Sequence, residues 1–112
     1  MESIKTNIAF TICDVNYLKY GFTLGDSFIQ KEGERFSFYL ILVNYKNIFD
    51  EKKRKEIKNN LIKVNSEVNV IWDDEIVEEQ TRLSFYERYN IVEYCTSIKA
   101  AAFIYFLKAA AV

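Results

Sequence analysis

Histidine is absent from this chain. With it go the histidine-dependent triads, the HExxH zinc site and every mechanism that needs imidazole as acid or base. Glycine is scarce: the three residues, at positions 21, 25 and 33, form neither GxGxxG nor GxxxxGK[ST]. The glycine-loop dinucleotide site and the P-loop phosphate cradle are therefore excluded. Proline is missing too, so element boundaries must be read from caps, charge and hydrophobic period. The two cysteines, Cys13 and Cys95, lack paired spacing and lie in apolar surroundings. They read as free thiols packed as small hydrophobes in a reducing, cytoplasmic setting. No apolar run reaches the ~18–20 residues of a membrane span. The amino-terminal MESIKTN carries Glu2 and no signal-peptide apolar core.

What is present is a core. Half of the 112 residues are hydrophobic and 16% are aromatic, which excludes a disordered chain. The length fits a single domain over residues 1–112. A net charge of −1 gives no electrostatic reason to expect nucleic acid. The one basic cluster, Lys52 to Lys58, is interrupted by Glu56 and reads as the solvated face of a helix.

The apolar run Ile8–Cys13 stops at Asp14-Val15-Asn16-Tyr17, and a helical pattern follows to about Gln30, with Leu18, Phe22, Gly25 and Ile29 on one face. Gly21 and Gly25 are placed for close packing against a sheet. Phe36–Val43 is nearly continuously apolar, as a strand covered on both faces would be. Asp50 is the natural cap of a helix from Glu51 to Ile62 that turns Ile57 and Leu61 inward. Val68–Trp72 is a third strand, ended by Asp73-Asp74-Glu75. Residues 76–94 read as helical with a break near Asn90, and Thr96 or Ser97 as the cap of a last helix through Phe103, Phe106 and Leu107. Strand and helix alternate with short connections, so the fold class is α/β: a three-layer, Rossmann-like, mostly parallel sheet.

Ligands of open α/β sheets bind outside the carboxyl ends of the strands. Asp14, Asn16 and Tyr17 supply an acid, an amide and an aromatic ring at such a point, suited to a base or ribose rather than to phosphates.

TICDVNYLKYGFTLGDSF near the start, followed by NIVEYCTSIKAAAFIYFL near the end, resembles the amino-terminal half of a GT-A fold glycosyltransferase. The likeness is to family 8 enzymes and related bacterial surface-polysaccharide transferases. The resemblance runs in order along nearly the whole chain and implies the nucleoside-binding half of a nucleotide-sugar transferase, with a UDP-sugar as donor. It implies that Asp14 bonds the base, Asn16 the ribose, and Tyr17 stacks on the base. Thr11 and Ile12 border the base, and Lys99 is directed at the diphosphate or donor sugar. Where the family usually has proline after this lysine, the chain has Ala100. The family's D-x-D motif lies beyond the last helix and is not reached by Val112; Asp73-Asp74 precedes that helix and lacks the spacing. On this reading the chain holds no metal cofactor, manganese or magnesium belonging to a longer enzyme, has no catalytic residues, and does not catalyse transfer alone.

Each residue also has a plainer use. Asp14 and Asn16 suit an Asx turn capping the first helix. Tyr17, Tyr20 and Tyr94 suit packing with a polar tip. Lys99, read in a first helical turn, opposes the helix dipole, which favours an anionic ligand beside it. Two other classes remain at this point. One is a phosphoacceptor receiver domain, which needs paired acids after its first strand where this chain has Cys13-Asp14. The other is a non-catalytic interaction module whose exposed apolar surface drives homo-oligomerisation.

Overall fold

Phe36–Val43 has little hydrophobic alternation because both of its faces are covered, completely from Leu40 to Val43 and partly before that. In the computed structural model, which describes residues 7–110, this segment is the central strand of a three-stranded parallel sheet of order β1-β2-β3. The strands are β1 (Asn7–Asp14), β2 (Phe36–Val43) and β3 (Val68–Trp72). Register runs from Asn7 opposite Phe36 to Asp14 opposite Val43, and from Phe38 opposite Val68 to Leu42 opposite Trp72. The helices are α1 (Leu18–Glu32), α2 (Glu51–Val64), α3 (Glu79–Arg88) and α4 (Ile91–Ala110).

Successive strand residues point to opposite faces, and the two faces are covered by different helices. Leu40, Leu42, Val70 and Trp72 pack beneath α1 and α2 through Leu18, Phe22, Ile29, Ile57 and Leu61. On the other face Ile41 and Ile71 meet Ala102 and Phe106 of α4, while Val43 meets Tyr94 and Ile98. The α/β class, the parallel sheet and the three strand positions agree with the expectation from sequence.

The glycines explain how α1 sits so close. A Cβ on Gly21 would lie 2.9 Å from Cys13 Sγ, and one on Gly25 2.7 Å from the Phe38 ring. Asp50 caps α2 as expected, its Oδ1 accepting from Lys53 N at 2.8 Å.

The last helix corrects the expectation. Thr96 and Ser97 do not cap it: α4 begins at Ile91, and both hydroxyls donate back to carbonyls one turn earlier, Thr96 to Val92 O and Ser97 to Glu93 O. The cap is Asn90. Its Oδ1 accepts from Glu93 N at 2.9 Å, and Glu93 Oε1 accepts from Asn90 N at 3.0 Å. This reciprocal box satisfies two otherwise orphaned donors and fixes the break between α3 and α4. Among the described residues no helix is long and apolar enough to cross a membrane.

Candidate functional site

Along the outer side of β1, beneath the first half of α4, lies a cleft of about 240 Å³ lined by Phe10, Thr11, Ile12, Cys95, Thr96 and Lys99. Three sequence-derived site residues, Thr11, Ile12 and Lys99, are thus brought to one cleft from positions nearly ninety apart in the chain. Lys99 arrives there by helical spacing. It follows Cys95 and Thr96 by one turn on α4, the helix whose Tyr94 and Ile98 are fully buried against the sheet. It is not in a first helical turn, because α4 starts eight residues earlier. The dipole conflict read from sequence therefore does not exist, and what Lys99 offers is a solvent-facing ammonium at the cleft wall.

Asp14, Asn16 and Tyr17 form a second group at the carboxyl end of β1, Asp14 being its last residue. Alternation along the strand turns Asp14 to the α4 side, where its charge helps raise the Cys95 thiol. Its Oδ2 accepts from Asn16 Nδ2 at 3.2 Å. Its Oδ1 is shielded from solvent and has no hydrogen-bond partner among the described residues. The Asx-cap role is not adopted: no side-chain cap bond forms at Asp14 or at Tyr17. Tyr17 is 62% exposed, so its ring is not buried beneath the sheet. None of these three lines the cleft walls.

The cleft sets a cation, hydroxyls and a thiol beside apolar groups. The Cys95 thiol is pushed up to about 11, chiefly by burial and then by Asp14 and Asp73. It remains protonated at neutral pH and is a poor nucleophile. Thr96 spends its hydroxyl proton on Val92. Lys99 is the cation of the lining, suited to an anion, while Phe10 and Ile12 supply apolar walls.

A second polar constellation escaped the sequence reading. Asp73, taken there as a strand end, is fully buried. Its Oδ2 accepts from Tyr94 OH at 2.6 Å and its Oδ1 from Asn44 N at 3.2 Å. Arg82, also buried, adds its charge nearby and donates to Val77 O and Asn47 Oδ1. Burial raises Asp73 above the usual carboxylate range against the opposing pull of Tyr94, Asn44 and Arg82. The signal was present: Tyr94, Ile98, Ala102 and Phe106 form one stripe at four-residue steps, so a tyrosine on it must bury its hydroxyl.

These acids do not suit a divalent cation. Asp73 is enclosed by its donors, Asp74 is paired with Arg54, and among the described residues no group of three or more histidine, cysteine or acidic side chains is placed to hold a metal. Compared with known proteins, the chain matches no family model, no curated protein and no solved structure.

Proposed function

We propose that this chain is the nucleoside-binding half of a nucleotide-sugar-dependent glycosyltransferase of GT-A, family 8-like type. The reading rests first on the resemblance in sequence. The observation that carries it in the structure is Asp14: a carboxylate oxygen shielded from water and lacking a donor, at the carboxyl end of an α/β strand. Leaving such an oxygen unpaired costs ~1–3 kcal/mol, and a rotation of the Asp14 side chain that turns it outward lets an imide N–H of a uracil ring donate to it. Asn16, already bonded to Asp14, stands next to the ribose hydroxyls. The exposed ring of Tyr17 supplies a stacking face. Thr11 and Ile12 border the base at the strand edge, and Lys99 faces the diphosphate as a point charge. A glycine-poor loop fits this division of labour, because the phosphates are met by a side chain rather than by a nest of backbone N–H groups. Among the described residues no group of three or more acids, histidines or cysteines is placed for manganese or magnesium, and no step is assigned to either.

Calorimetric titration with uridine diphosphate tests the reading. Wild type should bind, Asp14→Ala should bind about ten- to a hundredfold more weakly, and added manganese should change little. Lys99→Ala should weaken uridine diphosphate more than uridine, since only the former carries charge for it to meet. Absence of binding by wild type overturns the proposal. Strong manganese dependence would return Asp73 and Asp74 to consideration as ligands.

A further inference from the structure

We draw no further inference here: the strongest candidate, the exposed apolar face that Phe103, Ile104 and Leu107 form on the second half of α4, carries nothing, because nothing in the structure shows what covers it.

Discussion

Tyr94 carries a hydroxyl into a region with no water to satisfy it, and Asp73 carries a carboxylate into the same place. Each is tolerable because of the other. The hydroxyl donates to Asp73 Oδ2, and burial together with the adjacent carboxylate raises the phenol far above its ordinary value, so it stays a donor at any usable pH. Tyr94→Phe removes one oxygen and leaves a buried carboxylate oxygen short of a donor. The expected cost is ~1–3 kcal/mol, and thermal unfolding should show it as a fall of about 4–8 °C per kcal/mol for a domain of this size. An unchanged midpoint would mean that the bond contributes no net stability. The same residue pair ties β3 to α4, and α4 carries Cys95, Thr96 and Lys99 to the cleft. A core contact thus sets the position of a surface cleft.

At the scale of the element, α1 shows two opposed effects of one residue type. Glycine in a helix interior costs ~1 kcal/mol relative to alanine, so α1 is weakened by its own Gly21 and Gly25. Helix propensity alone would make Gly25→Ala stabilising. The Phe38 ring, 2.7–2.8 Å from where the new Cβ would stand, reverses that sign. Phe38 is 3% exposed and packed on Phe28 and its neighbours, so it cannot yield freely, and overpacking of this kind costs ~1–3 kcal/mol. Gly25→Ala should therefore lower the urea midpoint despite better helix propensity. A raised midpoint would show that the ring can move aside. In α4 the competition runs the other way: Thr96 and Ser97 are good caps in isolation, yet inside a helix their hydroxyls find the carbonyl one turn back, and Asn90 takes the cap.

For the whole molecule, the half-buried thiols set a direction of pH dependence. Cys13 and Cys95 are both pushed up to about 11 from 9.0, burial being the largest cause. A group that holds its proton more tightly when folded contributes stability that is complete below its unfolded value and lost as pH rises through its folded one. The fold should therefore keep its urea midpoint to about pH 9 and lose stability progressively towards pH 11, with Tyr94 adding to the loss at its upper end. Replacing both cysteines by alanine should flatten that decline. Asp73 obeys the same sign at the acid end: its raised value means that acid does not remove stability there. A wild-type midpoint independent of pH between 9 and 11 would show that the thiols are more hydrated than their packing implies.

The local alphabet of this chain determined its elements. Ile8–Cys13, Phe36–Val43 and Val68–Trp72 are strands because each is a short, dense apolar run. The inward faces of α1 and α2 follow from three- and four-residue spacing, and Asp50 caps because its neighbours on the chain are all the cap requires. The loop that ends β1, with Asp14, Asn16 and Tyr17, was legible for the same reason, since its residues are adjacent in sequence. What only the tertiary structure decided are the long-range encounters: Lys99 beside Thr11 and Ile12, Asp73 beneath Tyr94, and an outer edge of β1 that nothing among the described residues covers. Periodicity states which face of an element is apolar but not which element will meet it. That choice depends on sheet order and crossover, which are set by the packing of all layers together.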